Sequence, residues 1–197
     1  ILAWSNYGKR PNEYRPPELV GFTPGVPQGA ISEMAKFEAA DPAFWCPNGY
    51  AVINVDIRGI GFSGGYHDQF GHQDGEDGYD FVEWTAQQPW CNGKVAMAGS
   101  SALAISQYQI AAQQPPPLAC IAPWEGMSDM YRESLNEGGI PCIKFTNFAT
   151  AGAAGLLGID DQGAMALKYP LMGPYWEDKI ADWSKIEVPM YACVGWN

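Results

Sequence analysis

KVAMAGSSALA, residues 94–104, is the stretch of sequence that decides the fold. Lys94 to Ala98 form an apolar run that predicts a buried strand. Gly99 and the two serines after it then form a turn. Ala102 to Gln114 predict a helix, which the prolines from Pro115 end. A serine on a tight turn between a strand and a helix exposes its Oγ atom, so Ser101 is the candidate nucleophile.

The rest of the chain alternates in the same way between apolar, strand-like runs and segments with helical spacing. Such alternation predicts an α/β fold: a mostly parallel sheet with helices on both faces. Further strands are predicted at residues 1–5, 49–56, 118–122 and 188–194, and further helices at residues 31–40, closed by Asp41-Pro42, and 77–88, capped by Asp77.

The predicted elements suggest three parts of unequal size. Residues 1–130 are predicted to form the core of the fold. Residues 131–185 are rich in Gly, Pro and Trp and are predicted to be a helical lid insertion. Such an insertion would cover the carboxyl ends of the strands, where open α/β sheets place their ligands. Residues 186–197 then return to the core as a last buried strand.

Composition excludes several classes of protein. The chain has 197 residues, of which 47% are hydrophobic and 17% charged, as expected for a well-buried globular domain. Its net charge of -11 argues against nucleic-acid binding, which needs a basic face. No apolar run approaches the roughly 20 residues that span a bilayer, and no targeting signal is visible. We therefore expect a soluble protein with no membrane partner, in a compartment that the sequence leaves open.

Two other motif-like strings precede the Ser101 turn. Gly59 to Gly64 spell GxGxxG, but polar loop follows them, whereas a dinucleotide site must open a helix. Gly61 to Gly65 spell GxSxG, but Ser63 lies well past its strand and no helix begins after it. We interpret both strings as parts of a glycine-rich turn.

An acidic and histidine-rich loop follows that turn. It lacks the spacing of known metal motifs, and a solvated acidic loop explains it better. The sequence predicts neither a metal nor a cofactor. The residues concerned are His67, Asp68, His72, Asp74, Glu76 and Asp77.

The N-terminus of the helix after Ser101 suits acyl transfer. The helix dipole there favours a developing negative charge, and the backbone N–H of Ala102 would point into an oxyanion hole. The alternative is that Ser101 is an ordinary N-cap serine.

Four segments together resemble the cocaine-esterase-like (CocE/NonD) hydrolases, which include the catalytic domain of Xaa-Pro dipeptidyl-peptidases. The combination is more specific than any single string and spans most of residues 1–140. The segments are ILAWSNYGK (1–9), GYAVINVDIRGIGFSGG (49–65), DGYDFVEWTAQQPWCNGKVAMAG (77–99) and PPLACIAPWEGMSDMYR (116–132).

The resemblance implies an α/β-hydrolase fold and a Ser-His-Asp triad in which Ser101 is the nucleophile. It also implies that the Tyr7 hydroxyl joins the Ala102 N–H in the oxyanion hole. Trp124, just after a predicted strand, is a candidate substrate-binding residue. Many family members have Tyr after the serine and Gly at the end of the motif, where this chain has Ala102 and Ala104. The backbone donor survives this change, but the pocket would be wider.

Chain order predicts that the triad is incomplete within these residues. In α/β-hydrolases the order is Ser, then Asp or Glu, then His, whereas His67 and His72 both precede Ser101. The family pattern places the acid at or just past Asn197. We therefore expect negligible hydrolase activity from the 197 residues alone, and we expect the isolated chain to be marginally stable because its last strand would lack neighbours.

Three functions stay open at this point. The first is a serine hydrolase that cleaves small-molecule esters or amides. The second is a peptidase releasing Xaa-Pro dipeptides from short peptides, for which Glu125 or Asp129 could hold the substrate amine. The third is a non-catalytic binding protein of the same fold, which the changes at Ala102 and Ala104 keep open. The sequence does not indicate an oligomeric state.

Overall fold

A computed structural model of the chain describes residues 1–10, 27, 29–152 and 158–195. Its centre is a four-stranded sheet in the order β2-β1-β3-β4, in which every strand pair is parallel. The α/β fold with a parallel sheet is therefore confirmed. The strands are β1 (Leu2–Ser5), β2 (Ile53–Asp56), β3 (Val95–Ser100) and β4 (Leu118–Trp124).

The helices follow the strands in the predicted alternation. Short elements between β4 and the end of the described chain fill the predicted insertion, which includes a π-helical turn at Tyr131–Leu135 and a two-stranded antiparallel pair. The helices are α1 (Pro42–Trp45), α2 (His72–Ala86), α3 (Ala102–Ala112), α4 (Ile143–Gly152), α5 (Gln162–Lys168) and α6 (Pro174–Glu177), and the strand pair is β5 (Asn136–Glu137) and β6 (Ile140–Pro141).

Alternation along β1 divides the apolar core into two clusters. Leu2 and Trp4 belong to the cluster that includes Met97 of β3 and Ile110 of α3. Ala3, which points the other way, belongs to the cluster formed by the start of α3 and the insertion. No helix within the described residues is both long enough and apolar enough to cross a bilayer.

The helix predicted over residues 31–40 was wrong. Turns occupy this segment, and α1 begins only at Pro42. The side chain of Asp41 accepts hydrogen bonds from Ser32 N–H (2.9 Å) and Ala43 N–H (2.9 Å). Asp41 therefore caps the helix that follows it, and Pro42 occupies the first helical position, where its missing N–H costs nothing. The Asp-Pro pair starts a helix instead of ending one.

The start of α2 was also predicted wrongly. The helix begins at His72, so Asp77 lies inside it and pairs with Arg58 instead of capping it. Gly75 and Gly78 let α2 pack closely on α3. A Cβ atom at Gly75 would lie 2.8 Å from the Gln109 carbonyl oxygen, and one at Gly78 would lie 2.3 Å from Ile110 Cδ1.

The last predicted strand pairs as expected but is not buried. Residues 189–193 run parallel to β4, with the Ile121 N–H donating to the Pro189 carbonyl at 3.0 Å. Tyr191 and Val194 are 69% and 70% exposed, because no described element packs over them. Residues 153–157 of the predicted insertion and residues 196–197 of the predicted strand lie outside the described residues.

A buried lysine fixes the insertion to the core. Lys179 is 2% exposed, and its Nζ lies 2.6 Å from Asp68 Oδ1 and 3.2 Å from Asp160 Oδ2. It also donates to the Gln69 carbonyl at 2.9 Å and lies 4.8 Å from the centre of the Tyr175 ring. The two carboxylates offset the cost of burying the ammonium group, so the contact joins residues 160–179 to the loop before α2.

A buried carboxyl group joins the sheet to both long helices. Asp74 of α2 is 5% exposed and accepts hydrogen bonds from Trp4 Nε1 at 2.7 Å and Ser106 Oγ at 3.3 Å. Burial raises the pKa of Asp74 to about 7, against the hydrogen bonds from Trp4 and Ser106, which lower it.

Replacing the buried lysine tests the first of these contacts. Lys179→Met should lower the free energy of unfolding by about 3–5 kcal/mol, because it leaves Asp68 and Asp160 charged without their cation. Urea unfolding measures this change. Lys185→Met is the matched control: Lys185 and its partner Asp182 are largely exposed, so the control should change little. Equal effects of the two substitutions would contradict a special role for the buried pair.

Asp74 makes stability depend on pH with a definite sign. Its folded pKa of about 7 lies above the ordinary aspartate value of 3.8, so between these values the folded state holds more protons than the unfolded state. The free energy of unfolding should therefore fall as the pH rises through this window, by at most about 4 kcal/mol at 1.36 kcal/mol per pKa unit. In urea unfolding at pH 5 and pH 8, Asp74→Asn should make this fall smaller by the contribution of Asp74, whereas Asp80→Asn, on the exposed side of α2, should retain the full fall.

Candidate functional site

Ser101 lies on a strained turn between β3 and α3. Its φ of 55° and ψ of -119° fall in a region that residues other than glycine rarely adopt. Hydrogen bonds hold this geometry: the Ser101 N–H donates to the Trp124 carbonyl at 2.9 Å, and the Ser101 carbonyl accepts from Ala104 N–H at 2.9 Å. The Ser101 side chain makes no capping hydrogen bond, which argues against the N-cap alternative.

Gly99 allows this turn to close. It is buried, and a Cβ atom at this position would lie 2.5 Å from Leu103 Cβ and 3.2 Å from the Glu38 carbonyl oxygen. The neighbouring Ser100 N–H donates to the same Glu38 carbonyl at 3.0 Å. The strand, the first turn of α3 and the segment around Glu38 therefore meet at a point with no room for a side chain.

The structure brings Tyr7 to Ser101, although the two are far apart in sequence. The Tyr7 N–H donates to Ser5 Oγ at 3.0 Å, and the Tyr7 ring packs edge-on against Phe37 at 5.0 Å between centroids. Its hydroxyl group interacts with the hydroxyl of Ser101 and the carboxyl of Glu38. Burial and the negative charge of Glu38 both raise the pKa of Tyr7, so this hydroxyl stays protonated and is able to donate.

Glu38 is the residue of this cluster that the sequence did not indicate. It adopts a φ of 60°, and its side chain interacts with the hydroxyls of Tyr7 and Ser101. Burial raises the pKa of Glu38 to about 7, while hydrogen bonds from the two hydroxyls act in the opposite direction. The sequence carried no signal for this residue, because a glutamate in a segment predicted as helix is ordinarily part of a solvated face.

Ala102 and Trp124 also lie at the turn. Ala102 is the first residue of α3, and N–H groups in the first turn of a helix have no acceptor within that helix. Trp124 ends β4, pairs with Ser100 in the sheet and is 40% exposed. The structure therefore brings the four residues selected from the sequence to one point at the carboxyl ends of β1, β3 and β4. These residues are Ser101, Tyr7, Ala102 and Trp124.

Asp56 fixes the loop that carries Tyr7. Its Oδ1 accepts the Lys9 N–H at 2.6 Å, and its Oδ2 lies 3.0 Å from Lys9 Nζ and accepts the Phe62 N–H at 3.2 Å. Burial acts to raise the pKa of Asp56, but the contacts from Lys9 and Phe62 hold it below its usual value. A Cβ atom at Gly61 would lie 2.6 Å from the Asp56 carboxyl carbon, so this turn needs a glycine.

Ser63 belongs to that turn and not to a nucleophile site. Its Oγ donates to the Asp56 carbonyl at 2.6 Å. The next helix, α2, begins at His72, so the glycine-rich string before it does not open a helix as a dinucleotide site requires.

A family model described as X-Pro dipeptidyl-peptidase (S15 family) matches residues 3–168, which contain Tyr7, Glu38, Ser101 and Trp124. The chain belongs to this family. This membership agrees with the resemblance to CocE/NonD hydrolases that the sequence motifs indicated.

Individual relatives of this S15 family chain agree with the assignment. A protein of Mycobacterium bovis that is named as a serine esterase is 37% identical over 101 residues, or 51% of this chain and 16% of the relative. A cocaine esterase from a Rhodococcus species is 40% identical over 86 residues, or 43% of this chain and 15% of the relative.

The same fold occurs in a solved structure of a relative. The crystal structure of a CocE/NonD family hydrolase from Staphylococcus aureus has a TM-score of 0.83 to this chain and is 32% identical in sequence. The match covers 95% of this chain but 34% of the S. aureus protein. The chain thus spans about a third of the length of that relative.

The two histidines stand apart from Ser101 in this S15 family chain. His72 is exposed, lies 3.4 Å from Glu76 and is hydrogen-bonded to Gln113 at 3.2 Å. His67 is 2% exposed, and burial lowers its pKa to about 4. Among the described residues, neither histidine forms a hydrogen bond with Ser101, which agrees with the chain order of the fold.

The predicted acidic loop is in large part helical, since His72 to Asp77 lie in α2, and its residues make separate structural contacts. Asp68 pairs with Lys179, Asp77 with Arg58, and Asp74 with Trp4 and Ser106. Within the part of the chain that the structure describes, no three His, Cys, Asp or Glu side chains come together in a way that could hold a metal ion.

The two carboxylates considered for amine binding differ in their surroundings. Asp129 accepts the Arg132 N–H at 2.9 Å and also pairs with the Arg132 guanidinium, so a structural role accounts for it. Glu125 is exposed directly after Trp124, and its own N–H donates to the Cys193 carbonyl at 2.7 Å.

The tight contact at Gly99 gives a prediction about stability. Gly99→Ala should lower the free energy of unfolding by about 1–3 kcal/mol, because the added methyl group overlaps with Leu103 and crowds the Glu38 carbonyl. Urea unfolding measures the change. Gly64→Ala is the control, since a Cβ atom there meets nothing within 4 Å. A wild-type value for Gly99→Ala would show that the turn has more room than the structure indicates.

Proposed function

We propose that this chain carries the nucleophile and the oxyanion hole of a serine hydrolase, which cleaves ester or amide bonds through an acyl-enzyme. The observation that carries the proposal is the geometry of Ser101, a non-glycine residue at φ 55° between a strand and a helix N-terminus. Strained backbone of this kind persists where the surrounding structure enforces it, typically at active sites. The S15 family membership supports the same class of chemistry.

In the proposed reaction, Ser101 Oγ attacks the carbonyl carbon of the substrate and forms a new C–O bond. The carbonyl π electrons move to the oxygen, and the negative charge that results is stabilised by the Ala102 N–H and the Tyr7 hydroxyl. The leaving alcohol or amine departs with a proton, and water then hydrolyses the acyl-Ser101 ester. No metal or cofactor is needed for these steps.

The base that accepts the Ser101 proton is expected from residues beyond this sequence. The fold places an acid and then a histidine after the nucleophile in chain order. On this proposal the chain contributes the nucleophile and both oxyanion donors, and the activity proposed is that of the whole protein that contains it. Without a base, the serine hydroxyl is a weak nucleophile at neutral pH.

We assign residues 1–130 to the hydrolase core, residues 131–185 to a lid insertion and residues 186–197 to a returning core strand. The packing of Trp176 and Ala166 with Ala102 and Leu103 supports this division, since it places the insertion against the start of α3. Trp124 is exposed beside the nucleophile and is proposed to contact the acyl group of a small-molecule or short-peptide substrate.

The peptidase alternative rests on a different observation. The family description names X-Pro dipeptidyl-peptidases, whose substrates present a free amine near the scissile bond. Glu125 is exposed next to Trp124 and could pair with that amine, whereas Asp129 is already paired with Arg132. Hydrolysis of an Xaa-Pro substrate that weakens in Glu125→Gln, with ester hydrolysis unchanged, would favour this reading.

Labelling by a fluorophosphonate tests the proposed nucleophile in the full-length protein. The wild type should react covalently at Ser101, and Ser101→Ala should abolish the label, because the reagent modifies only an activated serine. Ser63→Ala is the matched control and should retain full labelling, since Ser63 Oγ donates to a backbone carbonyl.

The outcomes separate the alternatives. A label that survives Ser101→Ala would show that another serine is the nucleophile. Absence of any label on the full-length wild type would favour the non-catalytic binding protein that the changes at Ala102 and Ala104 suggest.

A further inference from the structure

Glu38 lies at the candidate site but has no role in the proposed acyl transfer. Its carbonyl accepts the Ser100 N–H, so its backbone is part of the wall of the nucleophile turn. Its carboxyl group interacts with the hydroxyls of Tyr7 and Ser101. Its Oε2 atom is buried and has no hydrogen-bond partner among the described residues. A carboxyl group thus lies beside both the proposed nucleophile and the proposed oxyanion donor.

A purely structural role does not explain the side chain. The backbone contact of Glu38 with Ser100 would be the same for any residue that tolerates a φ of 60°. Burying a carboxyl oxygen without a partner costs free energy, and a smaller or apolar side chain would avoid that cost. The ionisable carboxyl group of Glu38 is therefore not required for the backbone contact, and its presence indicates a role in the site.

The groups that face the carboxyl come from two elements. Tyr7 reaches it from the loop after β1, and Ser101 reaches it from the turn before α3; both hydroxyls donate to the ionised form. In return, the charge of Glu38 acts on Tyr7. A donor that is held by a carboxylate points its hydrogen at that carboxylate and not at another acceptor.

We propose that Glu38 is a positioning residue that controls the oxyanion hole: its protonation state decides whether the Tyr7 hydroxyl is free to donate to the oxyanion formed at Ser101. This inference rests on the proposed function. It goes beyond that function in assigning a third residue, which regulates the site through the two hydroxyls that its carboxyl group contacts.

The two forms of Glu38 have opposite effects. When ionised, the carboxylate accepts the Tyr7 O–H, and its negative charge opposes formation of a second negative charge on the substrate oxygen. When protonated, Glu38 donates its own O–H to the Tyr7 oxygen, which leaves the Tyr7 hydrogen for the oxyanion. The proton of Glu38 stays on Glu38 during attack, while the Ser101 proton moves to the base.

The pKa of Glu38, raised to about 7 by burial, places the change between the two forms near neutral pH. We therefore expect the activity of the wild type to decline on the alkaline side, as Glu38 ionises. Glutamine is neutral and keeps the shape of the protonated side chain, and its amide group donates to the Tyr7 oxygen. Glu38→Gln should thus remain in the active arrangement at all pH values.

The test measures kcat/KM of the full-length protein for p-nitrophenyl acetate between pH 6 and pH 9, with the rate of Ser101→Ala subtracted. The ratio of Glu38→Gln to wild type should rise from near one at pH 6 to at least about tenfold at pH 9, where a group of pKa 7 is about 99% ionised and a lost oxyanion donor costs about 10²–10³ in rate. Glu33→Gln is the matched control on an exposed glutamate and should follow the wild-type profile. A structural role alone would lower activity equally at every pH.

A ratio that stays flat with pH, while hydrolysis still depends on Ser101, would overturn the role of Glu38 and leave the proposed function standing. Hydrolysis that survives Ser101→Ala would overturn both. If Glu38→Gln does not fold, Tyr7→Phe provides the same test, because without the hydroxyl there is nothing for Glu38 to hold. Loss of the alkaline decline in Tyr7→Phe supports the proposal, and an unchanged decline overturns it.

Discussion

The left-handed backbone of Ser101 is the constraint on which the rest of the structure depends. A residue with a side chain adopts φ 55° only where its surroundings enforce it. Here the enforcing contacts come from three directions: β4 accepts the Ser101 N–H through Trp124, the first turn of α3 donates to the Ser101 carbonyl, and the Glu38 carbonyl accepts the preceding N–H. Gly99 is required because α3 and the Glu38 carbonyl meet beside it. Much of the surrounding fold thus serves to keep one serine in an unfavourable conformation.

Three buried ionisable groups of the chain differ in the partners that compensate their burial. Lys179 is compensated by two carboxylates and behaves as a fixed structural charge. Asp74 has only neutral donors, and burial raises its pKa to about 7. Glu38 resembles Asp74 in having neutral partners, but its partners are the two hydroxyls of the candidate site. Desolvation of a carboxyl group therefore changes the pH dependence of stability at Asp74 in α2. At Glu38, on our proposal, the same effect changes the activity of the site beside Ser101.

The sequence predicted the structure best where residues that are close in the chain are also close in space. The strand, turn and helix around Ser101 could be found because apolar runs in parallel sheets are continuous. The start of α2 was missed because Gly75 serves a contact with α3 that no local pattern encodes. Tyr7 was found only through family resemblance, and Glu38 not at all, since both reach Ser101 through tertiary packing. The helix predicted for residues 31–40 was wrong because Asp41 binds Ser32 instead of ending a helix.

The buried contact of Lys179 has a consequence for how a substrate would reach Ser101. Swinging residues 160–179 away from the core would carry Asp160 along with Lys179, but it would separate the buried Lys179 ammonium group from Asp68 and from the Gln69 carbonyl. We therefore expect this part of the insertion to stay in place while substrate binds. Selection among acyl groups would then depend on the shape of a permanent entrance, and exchange of substrate and product would not wait for a closing segment to open.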